Sequence, residues 1–476
     1  MQRESAAAPV ASGGETGGAQ GSGGLTREIG LLQATATNML AMIGVGPFLT
    51  IPFMVAAMHG PHILYAWTAG LVLALADGLV FAQFGAALPG SGGPYVYLRE
   101  AYRPFRLGGL LSFLFIFQTV IIGPLGVASG AVGFADYLGF YWTGMPPLAH
   151  HLIAASVCVG MTALLYRRIG DIGRLSLVLL AIVLGTIAWV IGAGLVHFSP
   201  GTASAGPAQP VIFDRAFFAA LGAGSLLAMY DYGGYNQICN IGEEVRRPAT
   251  TIPRAIVISI LCVAAIYMVM GTVILRLVPW QEVESTRTIA SVFIARTFQD
   301  PAVGRTAGLV MMVLILIVTA SSLYAVILGY SRIPFAAARD GQFFEVFARV
   351  HPTKHFPHVS LLTIGAVSLP FCFLSLGQIV NWLMQVQVVT QLVWQCAGVI
   401  LLHRYRKDIA QPFVMWLYPL PAIAAFVLWI CVFATGPVSG MIFSLAFFAA
   451  GVAAYYAKTR KGTRKGDSHP YSQNWE

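Results

Sequence analysis

Gly44-Val45-Gly46-Pro47 and Tyr230-Asp231-Tyr232-Gly233-Gly234 each interrupt an apolar, membrane-length segment near its middle. A helix broken there lies deepest in lipid, where no water can satisfy a freed peptide group and each unpaired group costs several kcal/mol. Such a break persists only where its N–H and C=O groups line a protein cavity or hold a ligand. Interrupted spans at matching positions of two halves point to the binding site of a secondary transporter. The distance between the two glycine pairs suits two halves of five helices each. The plainer alternative is a pair of kinked helices packed closely on small residues.

Composition places the chain in a membrane. It is 57% hydrophobic and 10% charged, with mean hydropathy +0.73, whereas soluble domains carry roughly 25% charged residues. Residues Met1 to Gly24 are rich in Gly, Ala and Ser and read as a disordered tail without the apolar core of a signal peptide. The cysteines Cys158, Cys239, Cys262, Cys372, Cys396 and Cys431 all fall in or beside apolar segments, so no disulfide framework is implied.

Twelve spans are expected, at about Leu31–Ala57, His62–Leu88, Leu107–Tyr137, Leu148–Tyr166, Leu175–Val196, Phe217–Ile241, Pro253–Leu277, Arg305–Ser331, Val359–Leu376, Ile379–His403, Phe413–Thr435 and Ser439–Ala457. Of the 28 Lys and Arg, only Arg215, Arg276, Arg287, Arg296 and Arg305 then fall on the side opposite the termini. That asymmetry predicts both termini in the cytoplasm and a multi-pass protein of the cell membrane. It also accounts for the net charge of +9 as a topology signal. Basic residues dispersed among loops make no nucleic-acid surface.

The residues around the breaks resemble the amino acid–polyamine–organocation (APC) superfamily of transporters. Gly44-Val45-Gly46-Pro47-Phe48 resembles the GSGIF-type break of that superfamily's first span. Tyr232-Gly233-Gly234-Tyr235-Asn236 with Gly242-Glu243-Glu244-Val245-Arg246-Arg247-Pro248 is similar to its sixth span and following loop, most closely in L-type amino acid transporters. Pro89-Gly90-Ser91-Gly92-Gly93-Pro94-Tyr95 and Ala338-Arg339-Asp340-Gly341 resemble the loops after the second and eighth spans. Pro47 departs from the L-type pattern, as does Asp231. The run Gly46-Pro47-Phe48 is also similar to plant polyamine carriers.

The resemblance implies an all-α membrane protein of twelve transmembrane helices with a leucine-transporter-type fold. Its first inverted repeat would occupy residues 25–202 and its second 203–403, with two further helices over 404–458 and a cytoplasmic tail over 459–476. It also implies an aromatic lid at Tyr230 and an inner gate in which Glu243 and Glu244 pair with Arg99 or Arg339; a solvated loop is the alternative. L-type relatives in animals can be disulfide-linked to a glycoprotein through a cysteine after the third span. The loop Gly139 to Pro147 has none, so no disulfide-linked subunit is expected.

The chemistry of the site follows from the breaks. The N–H groups of Val45 and Gly46, at the positive end of a half-helix opened by Pro47, suit a substrate carboxylate. Glycines there, at Gly44, Gly46 and Gly233, let a ligand approach the backbone. Carbonyls near Met42 and Ile43, and near Met229 and Tyr230, suit a substrate ammonium. Asp231 stays open between three roles: partner of a cationic substrate group, proton acceptor, or cap of the second half-helix. A mid-membrane carboxylate costs about 2.5–3.5 kcal/mol, so it is seldom incidental. Asp77 is a weaker proton-relay candidate. Ser321 and Ser322 are candidate sodium ligands, although hydroxyls in such helices more often bond back to their own backbone. Some relatives place a lysine in the fifth span; no Lys or Arg stands between Arg174 and His197.

No enzyme signature, metal-ligand spacing, cofactor motif or P-loop is present. The expected function is secondary active transport of amino acids by alternating access, with proton coupling or exchange rather than sodium. A polyamine or cationic amino acid carrier is one alternative. A nutrient sensor or receptor on a transporter scaffold is another.

Overall fold

In the computed structural model the first apolar segment is two helices, α1 (Leu31–Met42) and α2 (Gly46–Ala57), whose axes turn by 54° across the glycine break. The structure describes residues 27–44, 46–90, 92–166, 172–197, 211–339, 341–352 and 356–465. Val45 and the expected N-terminal tail lie outside the described residues. There follow α3 (Ile63–Ala87), α4 (Pro94–Ala101), α5 (Gly108–Leu138), α6 (Pro147–Leu165), α7 (Ile172–Val196) and α8 (Arg215–Tyr232). After these come α9 (Pro248–Leu277), α10 (Trp280–Ser285), α11 (Ile289–Arg296), α12 (Pro301–Arg339), α13 (His358–Phe371), α14 (Leu376–Gln387), α15 (Val393–Tyr405), α16 (Leu420–Thr435) and α17 (Val438–Lys465). A π-helical turn, Val388–Leu392, joins α14 to α15 in one continuous span.

The fold is all-helical. Among the described residues, seven helices are long and apolar enough to cross a membrane, and the bent α1–α2 pair makes an eighth. Part of α7, with α13 and α16, forms shorter apolar helices. Polarity is inverted relative to a soluble protein. Asn38, Asp77, Gln83, Gln118, Gln391, Gln395 and Asp231 are buried, while Leu152, Val159, Ile423, Val427, Ile430, Ile442 and Leu445 are exposed at helical spacings on α6, α16 and α17. These outward apolar stripes belong against lipid.

Small residues set the approach of the central helices. On α5, a β-carbon at Gly123 would meet Tyr330 at 2.9 Å and one at Gly130 would meet Leu323 at 2.9 Å, so α12 packs directly on the glycine face. Gly133 one turn on receives Leu49 of α2 in the same way.

The sixth apolar segment departs from expectation after its break. No second half-helix of α type follows Gly233; the chain runs through two short 3-10 turns, Gln237–Asn240 and Gly242–Glu244. Gly234 at φ +115° directs the chain out of the helix, and Asn236 and Asn240 are poor helix formers. The peptide N–H of Ile238 is satisfied from outside, by Asn38 Oδ1 at 2.9 Å.

Candidate functional site

The two breaks interlock. Gly234 is seated on the end of α1, where a β-carbon would stand 2.7 Å from the carbonyl carbon of Ala41. Asp231, in the last turn of α8, reaches the other side of the first break. Its Oδ2 accepts a hydrogen bond from the Thr50 hydroxyl of α2. Its Oδ1 is buried without a hydrogen-bond partner among the described residues and lies against Gly46, where a β-carbon would collide with it. The whole residue is 3% exposed.

Asp231 therefore faces the N-terminal end of α2 and does not cap the segment after its own helix. That end carries unpaired N–H groups and a partial positive charge, which favours a carboxylate. The place expected for a substrate carboxylate is thus already faced by a protein carboxylate. A second carboxylate there would be repelled, whereas a cationic group beside Oδ1 would complete it.

The remaining expected residues gather around this point with different partners. The Tyr230 ring stands 3.8 Å from the β-position of Gly46, and its hydroxyl lies 3.0 Å from Ser129 Oγ of α5. The Met42 carbonyl accepts from the Tyr267 hydroxyl of α9 at 2.8 Å, and the Tyr230 carbonyl accepts from Gly233 N–H at 3.3 Å. Ile43 is buried between the half-helices, and Met229 is buried one turn before the second break. Ser322 Oγ of α12 lies 3.5 Å from the β-position of Gly44, so it faces the first break. Ser321 instead donates to the Ile317 carbonyl at 2.6 Å within its own helix. Thr50, Ser129, Tyr267 and Asn38 were not singled out from the sequence. Each lies within a largely apolar helix, and only the packing reveals its role.

The loop carrying Glu243 and Glu244 is tied to the chain before α1. The Glu244 carbonyl accepts N–H bonds from Glu28 and Ile29, both at 3.0 Å, and Arg246 N–H donates to the Ile29 carbonyl at 2.9 Å. Of their expected gate partners, Arg99 pairs with Glu100 at 3.1 Å and Arg339 lies over the Phe335 ring. A different cluster joins α4 to the loop after α15. Arg406 binds Glu100 Oε2 at 2.8 Å, the Glu100 carbonyl at 3.0 Å and Asp408 at 2.7 Å. Burial pushes the Glu100 carboxyl up, but hydrogen bonding to Arg406 and the charges of Arg99 and Arg406 outweigh it and hold it below its ordinary value. Hydrogen bonding to Arg406 likewise lowers Asp408.

At the opposite end of α5, His150 Nε2 and Arg287 Nη1 share Asp136 Oδ1 at 2.9 and 3.0 Å, beside a cavity of about 620 Å³. No cluster of three metal-ligating side chains occurs among the described residues.

A bundle with polar, broken elements turned inward and apolar stripes turned outward is an integral membrane protein. The chain belongs to the amino acid permease family, whose model matches residues 29–459. It is a transporter of the APC superfamily and not an enzyme. It is 32% identical over 351 residues, 72% of this chain and 73% of the other, to an uncharacterized transporter of Mycobacterium tuberculosis. It is 27% identical to cationic amino acid transporter 4 of Mus musculus, over 72% of this chain and 54% of that protein. It is also 27% identical to a serine/threonine exchanger of Bacillus subtilis, over 84% and 89% of the two chains.

Proposed function

We propose that this protein is a secondary active carrier of amino acids that works by alternating access through the interlocked breaks. The observation that carries the proposal is the buried Oδ1 of Asp231 against Gly46, without a hydrogen-bond partner among the described residues. A buried acceptor left unmade costs about 1–3 kcal/mol, more for a charged group, and a cationic ligand would remove that cost. The preferred substrate therefore carries a cationic group that meets Asp231: the ammonium of an amino acid, or the distal cation of a basic amino acid or polyamine. The relative named as a cationic amino acid transporter supports the second form. The relative named as an exchanger supports exchange as a mode of transport.

In this proposal the chain spans the cell membrane twelve times with both termini in the cytoplasm, and residues 25–202 and 203–403 form two inverted five-helix repeats. Tyr230 closes over the substrate, and Glu243 and Glu244 belong to the inner gate. The test is thermal unfolding of the purified protein against a panel of amino acids and polyamines, since a ligand bound only by the folded state raises the midpoint. Stabilisation by lysine, arginine or putrescine, absent in Asp231→Asn, is the expected result. No shift with any amino acid or polyamine contradicts the proposal.

A further inference from the structure

Asp77, near the middle of α3, is a second carboxylate enclosed by the bundle, and the substrate site does not use it. It is fully buried. Three donors reach it from three different parts of the chain. The Tyr235 hydroxyl donates to Oδ2 at 2.5 Å, Trp429 Nε1 of α16 to Oδ1 at 3.1 Å, and Cys396 Sγ of α15 to Oδ1 at 3.5 Å. The three atoms nearest a β-carbon at the neighbouring Gly78 are side-chain carbons, of Ile260 and Ile256 of α9 and of Tyr235. Other titratable groups that pack along α3 include Tyr232 of α8, bonded at Trp67 and stacked with Tyr267 of α9, Cys239, bonded at Phe81, and Tyr97 of α4, stacked on Phe84. No Lys, Arg or His forms an ion pair with Asp77 among the described residues.

The donors are not equivalent. Trp429 and Cys396 sit on continuous helices of the frame. Tyr235 follows Gly234 directly, in the short segment that leaves the broken helix. The shortest bond to Asp77 is therefore made from the segment that carries the second break, while its other two donors stand on regular helices. An ionised carboxylate accepts only, so it needs the Tyr235 proton. A neutral carboxyl carries its own proton on Oδ2 and no longer needs that donation, while Oδ1 keeps both of its donors. With no cation to offset the charge, losing the Tyr235 bond leaves the ionised form under-solvated in a low-dielectric interior.

From this geometry we infer that Asp77 is the carrier's proton-binding residue and that Tyr235 couples its protonation to movement of the sixth-span break. When the break moves and Tyr235 withdraws, the Tyr235 O–H···Oδ2 hydrogen bond is lost. A proton from water adds to Oδ2, and the phenol keeps its own proton. When the segment returns, the proton leaves to water and the phenol resumes donation. The inference rests on the carrier assignment above and places the coupled proton on α3, away from the substrate-facing Asp231.

Two readouts on the full chain test it. Infrared difference spectroscopy in lipid bilayers follows the C=O stretch of a protonated buried carboxyl, and proteoliposomes report uptake of labelled arginine and serine. On acidification the wild type should gain a protonated-carboxyl band that Asp77→Asn lacks, and Tyr235→Phe should move its midpoint upward by one pH unit or more. Asp77→Asn should keep counter-exchange within about threefold of wild type and lose the gain from an inward proton gradient; Asp77→Glu should keep that gain. Should Asp77→Asn fail to fold, Trp429→Phe removes one donor to the same carboxylate and should move the midpoint of the band upward as well, and an unmoved midpoint there too would show that the band is not that of Asp77. An unmoved midpoint in Tyr235→Phe, or a gradient response retained by Asp77→Asn, overturns the inference. Wild-type vesicles that move no amino acid at all contradict the carrier assignment, whereas the infrared titration still decides whether Tyr235 controls the proton on Asp77.

Discussion

Gly46, the first residue of α2, lies so close to the carboxylate of Asp231, the penultimate residue of α8, that no β-carbon fits between them. The two broken segments thus meet at their breaks, one offering the positive end of a half-helix and the other a buried carboxyl group.

Gly46→Ala should displace that carboxylate, and Gly46→Val should fill the space beside it with a branched side chain. Substrate affinity should fall more than tenfold, about 1.4 kcal/mol, in protein that still inserts and folds. Ligand-dependent thermal shifts of the purified variants check this, and unchanged affinity would remove the break from the binding site.

Asp231→Asn separates the roles of the carboxylate. If Oδ1 meets a distal ammonium, recognition of lysine, arginine or polyamines should weaken by about 2–5 kcal/mol while neutral amino acids change little. A uniform loss for every amino acid would place the α-ammonium there instead. Competition against a labelled substrate distinguishes the two.

Gly234→Ala should destabilise the fold. The left-handed backbone at φ +115° and the contact with Ala41 both exclude a β-carbon, at a cost on the order of 1–3 kcal/mol. A lowered unfolding midpoint without ligand is the expected result, and an unchanged one would show that the breaks are not locked together there.

The Arg406–Glu100 pair predicts a pH dependence. Glu100 has its proton affinity lowered in the folded chain, so its contribution is complete above its ordinary value of 4.5 and is lost as pH falls through the lower folded value. Wild-type unfolding midpoints should drop in acid below that range, and Glu100→Gln should flatten the drop while costing about 1 kcal/mol at neutral pH. The same acid limb in wild type and variant would contradict this.

Much of the helical frame was legible because apolar runs of membrane length, glycine punctuation and clustered arginine are local signals. Leu107–Tyr137 was expected where α5 occupies Gly108–Leu138, and Pro253–Leu277 where α9 occupies Pro248–Leu277. The breaks were legible for the same reason: glycine pairs in the middle of lipid-length segments have few other uses. What was not legible is tertiary. In sequence, Asp231 reads as a cap, a proton site or a ligand partner, and nothing local shows that Thr50 and Gly46 of α2 meet its two oxygens. Ser321 and Ser322 are adjacent in sequence, yet one turns to its own helix and the other to the break, a difference set by helix phase against α1 and α2. The expected half-helix after Gly233 became 3-10 turns because Asn38 satisfies a peptide group there from outside.

The central claim, that the interlocked breaks move amino acids across a membrane, is tested most directly by uptake of a labelled panel into proteoliposomes holding the purified chain. The panel should include neutral and basic amino acids and putrescine, with and without an inward proton gradient, a sodium gradient, or unlabelled substrate inside. Saturable uptake of at least one amino acid or polyamine, raised by internal substrate or by the proton gradient and indifferent to sodium, is the predicted result. Uptake no greater than in empty vesicles for every compound, from protein that unfolds cooperatively, would contradict it.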